Sequence, residues 1–465
     1  MVKHHVLLAA GLLALAGCAN ARQTSSGFIP DARPATDFVP AAEAHDEVTG
    51  PLTLDLCIGL ALANNPDIAG GTAQAAAARH QADISAAQRW PTLSAVGSYG
   101  HHLNAQRLAP ASGPNQPGAY GRDLFGGDLV LAVPLYTGGR ISSEIRASDL
   151  LRRAADHELV RTWHELRFNI TSVFYAILGQ QHVAESVAFS HKVLGEHRKR
   201  VEELIGAQKA AKVDLLRTEV RLASLQQNLV QENNRLDILK RVLVNLVGLD
   251  GSSLEAGIEG DLVQPDAQEP EVDMAATLDA AYASRPDLLA ARAATQAQTE
   301  ELKAVRAGLW PDLSLQASYG LKALGHPSSA PAGSDDYEDV GQVGLVLDIP
   351  LFEAGRTRSA VRRERAKLVA QQQKLRKLEL QIRLDIETAV LNMNSSLERV
   401  QATQTAIDQA QESLRIEREK YTQGKGTITD VLDAQSALVD SQTSYYRALA
   451  DHSTARAQLQ LATGQ

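Results

Sequence analysis

Pro134-Leu135-Tyr136-Thr137-Gly138-Gly139-Arg140 is answered, 216 residues later, by Pro350-Leu351-Phe352-Glu353-Ala354-Gly355-Arg356. Each heptapeptide closes a run with apolar residues at every second position. Each then opens a long stretch in which apolar residues return every seventh position. The motif therefore marks a change from strand to helix, and it occurs twice. The same offset still holds at Asp214-Leu215-Leu216 and Asp430-Val431-Leu432, as it must if uninterrupted helices lie between. Toward the N-terminus, Trp90-Pro91 answers Trp310-Pro311, and Tyr99-Gly100 answers Tyr319-Gly320. Asn64-Asn65-Pro66-Asp67 likewise answers Ser284-Arg285-Pro286-Asp287, with all three pairs 220 residues apart. The offset changes once, between residues 100 and 128, where Gly, Pro and Asn form a loop that absorbs the difference. The chain is written twice.

Composition bounds what such a chain can be. Its 465 residues would suffice for two or three ordinary domains. It is 44% hydrophobic and holds two cysteines, which excludes a disordered or disulfide-stapled class. After the first 20 residues no window holds about 18 consecutive apolar residues, so a helical membrane protein is excluded as well. A net charge of −9 argues against nucleic acid as a partner. No proline lies between Pro134 and Pro265, and none follows Pro350, so two long stretches lack that helix breaker.

The local readings follow the repeat. Residues 52–88 predict two helices meeting at Pro66, stopped by Trp90-Pro91. Strands of about 9–11 residues, one face apolar and one polar, come next. Leu93, Ala95, Gly97 and Tyr99 share one face in the first copy, and Leu313, Leu315, Ala317, Tyr319 and Leu321 share it in the second. Returning strands carry Leu129, Leu131, Val133 and Leu135, and Val343, Leu345, Leu347, Ile349 and Leu351. A helix over about 137–205 would be about 100 Å long. Its ladder Leu159, Leu166, Val173, Val187, Leu194, Val201 is broken by Gln180. Leu215, Leu222, Leu229, Leu236 and Leu243 form a second ladder, and Val431, Leu438, Tyr445 and Leu459 a third, with His452 at one step. Seven-residue spacing demands supercoiled packing. A leucine zipper fails because no basic region precedes the ladder.

Four amphipathic strands cannot close a barrel, which needs about eight, and an open edge cannot face lipid. The chain must oligomerise, and three copies would supply about 12 strands where two would supply eight.

The N-terminus reads as an address. Lys3 precedes an apolar run, Val6 to Ala16, that is too short to span a membrane. Leu15-Ala16-Gly17-Cys18 resembles the bacterial lipobox, which implies cleavage before Cys18 and acylation there. The alternative is an ordinary signal with a chance cysteine. Ala19, rather than Asp, favours sorting to the outer membrane. The expected domains are a signal peptide over 1–17, a lipidated tether over 18–50, a first repeat over 51–248, a linker over 249–272 and a second repeat over 273–465. Cys57 reads as a small buried residue on a helix.

Two copies of helix, Pro-Asp, helix, Trp-Pro, hairpin, P-L-[YF]-x-[GA]-G-R and long helical hairpin resemble the outer-membrane efflux protein family, the TolC-like channels. The resemblance covers about residues 51–463. It implies an α+β membrane protein with a duplicated TolC-like fold. Four strands per subunit would form a 12-stranded barrel in a homotrimer, continued by a long periplasmic α-helical barrel. It further implies an exit duct anchored in the outer-membrane lipid and extending into the periplasm. The duct would serve an inner-membrane pump of the resistance–nodulation–division (RND) or ABC type through a periplasmic adaptor protein. The rival reading is a periplasmic structural coiled-coil lipoprotein or adaptor that does not span the membrane.

The same resemblance places the periplasmic gate at the hairpin tips. Tyr421 to Ala434 resembles the family's tip motif. Asp430 and Asp433 match positions that form carboxylate rings, and Asp214 and Tyr421 match positions that tie the mouth shut. Gly424 matches an adaptor-contact position, held in the first copy by Gln208. Gly426 stands where some members have a gate arginine, so that ion pair cannot form, and Lys425 could substitute. Helix capping is the competing role for Asp214 and Asp430.

No chemistry of catalysis is expected. His157-Glu158 and His164-Glu165 lack the second histidine of a zinc helix, because Arg161 and Phe168 occupy those positions. No phosphate loop or nucleophile elbow appears, so no enzyme activity, cofactor or metal is expected. His101 and His102 are expected solvated in the outer hairpin. Trp90 and Trp310 read as interfacial anchors or junction packing. The charged run 356–383 reads as a solvated helix face.

Overall fold

Each junction heptapeptide turns strand into helix through two consecutive left-handed residues. Gly138 and Gly139 have φ of 61° and 86°. In the second copy Ala354 and Gly355 take the same conformation, at 50° and 83°. Gly138 is further constrained, because a Cβ there would stand 2.8 Å from Trp310 Cβ and 2.9 Å from the Ala307 carbonyl. Glu353, in place of Thr137, bonds both Arg356 and Thr357 and so fastens the start of the helix from its side chain.

This computed structural model describes residues 51–109, 118–208, 210–249, 257–265, 273–329 and 337–465. Cys18, with the signal and tether, lies outside the described residues. The first copy runs α1 (Leu54–Asn64), α2 (Pro66–Ala87), β1 (Thr92–Arg107), β2 (Tyr120–Tyr136), α3 (Arg140–Gly206) and α4 (Lys212–Val247). The second runs α5 (Met274–Ser284), α6 (Pro286–Ala307), β3 (Asp312–Leu324), β4 (Pro327–Ser329), β5 (Tyr337–Asp348), α7 (Arg356–Thr422) and α8 (Ile428–Thr463). Matching helices have equal lengths, of 11, 22, 67 and 36 residues. The long pair thus extends for about 100 Å at 1.5 Å per residue.

The strands form one antiparallel sheet in the order β1-β2-β3-β5, with the three-residue β4 beside β2. Register aligns the faces read from alternation. Tyr99 stands opposite Phe125, Leu129 opposite Tyr319, and Leu315 opposite Leu345. The other face carries Ser94, Ser98, Gly126, Asp128, Ser318 and Gln342. Pro134, which has no N–H for the ladder, sits at a register shift.

Two expectations are corrected here. The four long strands have 12 to 17 residues, not about 9–11. Apolar alternation marks only the part of a strand beside an apolar surrounding, and the ladder continues past it on polar residues. His101 and His102 consequently lie on β1 itself and not in the loop beyond it; both are exposed, as expected, and the His101 ring nitrogen Nδ1 bonds Asp123 at 2.7 Å.

Residues Thr49–Gln465 form one compact unit. Within it α3 packs against α2, α4, α6 and α8, while α7 packs against α6 and α8. The seven-residue ladders fill these seams. Val187, Leu194, Leu225, Leu414, Val431 and Leu432 make a core near the hairpin tips. Ile382, Ile386, Ala389 and Leu288 make another toward the sheet. Gln180, the break in the α3 ladder, is buried and bonds Glu232 of α4 through both its backbone carbonyl and its carboxylate. At the matching position on α7, Ser396 bonds the buried His452 at 3.0 Å. Polar steps in each ladder are therefore paired rather than empty.

Each short hairpin helix ends against the kink of its own repeat. Asn65 Nδ2 donates to the Leu246 carbonyl at 2.7 Å. Arg285, the residue that answers Asn65, is 2% exposed and reaches the Ala462 carbonyl at 3.3 Å. Gly248 and Gly464 cap the two helices with φ of 78° and 79°. Cys57 is fully buried on α1, and burial pushes its thiol up to about 11. The charged run 356–383 is not a wholly solvated face. Glu364 is 3% exposed and takes bonds from Arg363, Lys367 and Gln298.

Candidate functional site

The two hairpin tips fold alike from unlike residues. α3 ends at Gly206 and α7 at Thr422, and each is followed by one left-handed residue. That residue is Gln208, with φ 64°, in the first copy and Gly424, with φ 71°, in the second. A left-handed L-residue other than Gly is strained by about 1–2 kcal/mol. Gln208→Gly should therefore raise resistance to denaturation by about 1 kcal/mol. An unchanged or lowered urea midpoint in detergent would count against this.

Asp430 closes a full capping box with Thr427, whereas Asp214 makes only the carboxylate half of one, because its N-cap residue Ala211 has no side-chain acceptor. The Thr427 amide and hydroxyl donate to Asp430 Oδ2 at 3.0 and 2.7 Å, and the Asp430 amide returns to Thr427 Oγ1. The Thr427 hydroxyl bond and then its amide hold the Asp430 carboxyl below its ordinary value. Asp214 Oδ2 accepts from the Ala211 amide at 3.3 Å. The capping role is thus filled at both positions, and Asp430 remains exposed. Asp433 is one turn further along α8 and is also exposed, so the two carboxylates stand on one helix side.

Tyr421 is brought into the neighbourhood of Asp214 without being bonded to it. Burial, then the Asp214 charge, pushes its phenol up, and among the described residues its hydroxyl has no hydrogen-bond partner. Its ring stands 5.7 Å from that of His197, whose buried Nε2 likewise has no partner among the described residues. Burial, then Arg418 and Arg200, holds His197 below its ordinary value. Arg418 bonds Gln435, which in turn bonds Ser190 of α3. Gly426 follows Gly424 as read, and the Lys425 amide bonds the Lys420 carbonyl at 2.9 Å.

Beside the Tyr421–His197 and Arg418–Gln435 contacts, sequence reasoning missed one that joins the two first turns. Arg217, one turn into α4 from Asp214, donates from Nη1 to Thr429 Oγ1 at 2.8 Å. Thr429 precedes Asp430. No local pattern joins two residues 212 positions apart. The repeat offset alone hinted that both first turns lie at one height.

A duplicated pair of 67-residue helices on an amphipathic antiparallel sheet, with acidic residues at the far tips, defines a subunit of an outer-membrane channel. The family model described as "Outer membrane efflux protein" matches residues 57–249 and again 277–465. The chain belongs to that family, and it resides in the outer membrane as a transport channel. It is 22% identical over 401 residues to "Outer membrane protein TolC" of Vibrio cholerae serotype O1, covering 86% of this chain and 88% of that one. It is 23% identical over 398 residues to "Probable outer membrane lipoprotein SilC" of Salmonella typhimurium, covering 83% and 80%. The crystal structure of the outer membrane protein VceC from Vibrio cholerae superposes with a TM-score of 0.74 at 20% identity, over 88% of this chain and 96% of that one. The fold is the duplicated TolC-like fold.

Proposed function

We propose that the protein is a homotrimeric exit duct whose periplasmic mouth is gated at the hairpin tips. The observation that carries this reading is the uncovered apolar face of the sheet. Val343 is 77% exposed, Leu93 69% and Leu345 65%, side by side with Leu129 and Tyr319. Such a continuous apolar surface is costly in water and is suited to lipid. Among the described residues, the outer strands β1 and β5 each leave one edge unpaired. An unpaired edge in hydrocarbon leaves backbone groups unsatisfied, and pairing β5 of one protomer with β1 of the next removes it. Three protomers then give about 12 strands, wide enough for a solute-conducting lumen.

Exposed apolar residues along the helices support the same association. Val220, Val230 and Ile238 on α4, and Leu380, Leu384 and Leu391 on α7, are each more than half exposed in the protomer. A sealed helical wall covers them. An inner-membrane pump and a periplasmic adaptor would feed this duct, consistent with relatives named for secretion and export. Gly424 and Gln208, at the outermost turn of each hairpin, are the contact points proposed for the adaptor. Acylation at Cys18 would add an anchor to the outer-membrane lipid.

Asp430, Asp433, Asp214 and Tyr421 are the proposed gate residues. With both exposed carboxylates repeated three times, the mouth concentrates cations and repels anions. Asp430→Asn with Asp433→Asn removes the charge and keeps an acceptor for the Thr427 amide, so the start of α8 survives. In planar bilayers this variant is expected to lose most cation selectivity and divalent-cation block. Unchanged selectivity and block would remove these residues from the gate.

A further inference from the structure

On the sheet side of the hairpins, the two repeats meet where α3 packs on α6. The α6 side of this seam is a stripe of small residues, Ala290, Ala293, Ala297 and Ala304, all buried. Ala290 and Ala293 pack on Ala154 of α3. Glu300 lies on the same stripe and bonds Arg146 of α3 at 2.8 Å. Asp287, at the start of α6, stands 4.0 Å from Arg161 of α3. Small side chains let the two helices approach closely, and the ion pairs set their register.

The first repeat carries the same stripe and leaves it bare. The 220-residue offset takes the four alanines to Gly70, Ala73, Ala77 and Ile84, and all four are exposed. The buried residues of α2 are Ile68, Ala75 and Ser85, and Ser85 bonds Ser148 of α3 at 2.6 Å. α6 packs between two long helices, α3 and α7, whereas the long helix that α2 packs on is α3. The other side of the seam is bare as well. The 216-residue offset takes Ala154 and Arg161 to Ala370 and Lys377 of α7, both exposed.

The charges of the two bare faces are complementary. Asp67 answers Asp287, and Lys377 answers Arg161, so the inner ion pair recurs as an acid on one face and a base on the other. Among the described residues, neither the Asp67 carboxylate nor the Lys377 ammonium has a partner. Nearer the sheet the match shifts by one turn. Arg362 answers Arg146, His80 stands in place of Glu300, and the carboxylate is three residues on, at Asp83, 3.6 Å from His80.

We propose that α7 of one protomer seats on α2 of the next as α3 seats on α6 within a protomer, with Lys377 paired to Asp67 across the boundary. The occupant of the bare α2 stripe is thus a second copy of this chain, and Ala370 meets Gly70 and Ala73 as Ala154 meets Ala290 and Ala293. The proposal rests on the reading of the chain as an oligomeric duct, to which it adds the contacting residues and their register.

Two measurements on the purified full-length protein in detergent test it. Ala73→Cys combined with Ala370→Cys should give, under mild oxidation, covalent dimers and larger species on non-reducing gels after heating, because packed alanines lie within disulfide reach. Each single variant should stay monomeric there. Lys377→Asp should lower the temperature at which the oligomer dissociates in SDS by several degrees, and adding Asp67→Lys should restore most of it. Absence of any SDS-resistant wild-type oligomer overturns the oligomeric reading itself. An intact oligomer of the double-cysteine variant that forms no cross-link overturns the α2–α7 seam. A charge-exchanged double variant no more resistant than Lys377→Asp overturns the Asp67–Lys377 pair.

Discussion

Arg285→Ala is expected to destabilise the folded protein by about 3–5 kcal/mol, the cost of breaking a buried ion pair from one side. The guanidinium is 2% exposed and grips Asp287 with two bonds, Nε to Oδ1 at 3.1 Å and Nη2 to Oδ2 at 2.6 Å. Nη1 reaches Asp385 of α7 at 3.2 Å and the Ala462 carbonyl at the end of α8. One side chain thus fastens the α5–α6 kink to both helices of the second hairpin. Truncation takes the guanidinium from two carboxylates, leaving Asp287 with Arg161 at 4.0 Å, and it leaves the Ala462 carbonyl without this donor, and a cavity. The first repeat shows how to repair it. There Asn65 makes the carbonyl bond, and Asn169 stands at the position that answers Asp385. Arg285→Asn combined with Asp385→Asn should therefore recover much of the loss. Denaturation midpoints in detergent check both expectations, and a double variant no better than Arg285→Ala would refute the repeat argument.

The same clasp has a definite pH sense. Burial pushes Asp287 up, and the Arg285 bond and charge more than reverse it, so its carboxyl stands below the ordinary value of 3.8. A depressed carboxylate contributes stability that is fully present above its unfolded value and is lost as pH falls through the folded one. The stability gap between wild type and Arg285→Ala should be constant near neutrality and shrink below pH 3.8. A gap that widens in acid would contradict the assignment.

Gly248→Val is expected to cost about 3 kcal/mol or more, from left-handed strain together with overpacking. Gly248 has φ 78°, and a Cβ there would stand 2.6 Å from the Asn64 carbonyl oxygen and 3.1 Å from the Asn65 amide. Both neighbours are backbone, so no rotamer change makes room. The end of α4 would have to lift from the α1–α2 kink and take the Asn65–Leu246 bond with it. Gly464→Val should cost about as much, since Gly464 has φ 79° and its Cβ would meet Arg285 Cα at 2.9 Å and the Arg285 amide nitrogen at 3.0 Å. A markedly smaller loss at Gly464 would show that this end is held less firmly than the other.

The repeat was legible because it is carried by residues that have no substitute where they stand. Pro66 and Pro286 begin helices, Trp-Pro stops them, and the paired left-handed residues of the heptapeptide turn strand into helix. Helix extents followed closely, with 140–206 found for about 137–205. Strand extents did not, because β1 runs through His101 to Arg107 on polar residues that carry no alternation. At the tips the sequence located the acidic residues and left their bonds open. Asp430 could be read as cap or gate, and the structure fills the cap while leaving its charge exposed. Arg285 looked like a mere variant of Asn65, since its partner Asp385 lies 100 residues away. Gln180 was visible as a broken ladder, but Glu232 as its partner was not. Periodicity records which face is buried, and it is silent on which polar groups meet across a seam.

The unpaired edges of β1 and β5 bear on genetics as well as architecture. In the proposed trimer, a protomer with two open edges and an apolar face is costly to leave alone in water or in lipid, which couples association to membrane entry. Every ring then draws its members from one common pool. In a ring of three, a copy that joins but cannot close or open its tip spoils every assembly it enters. Intact rings then fall as the cube of the wild-type fraction, so tip defects behave as dominant. Edge defects that prevent joining simply drop out of the pool and behave as recessive.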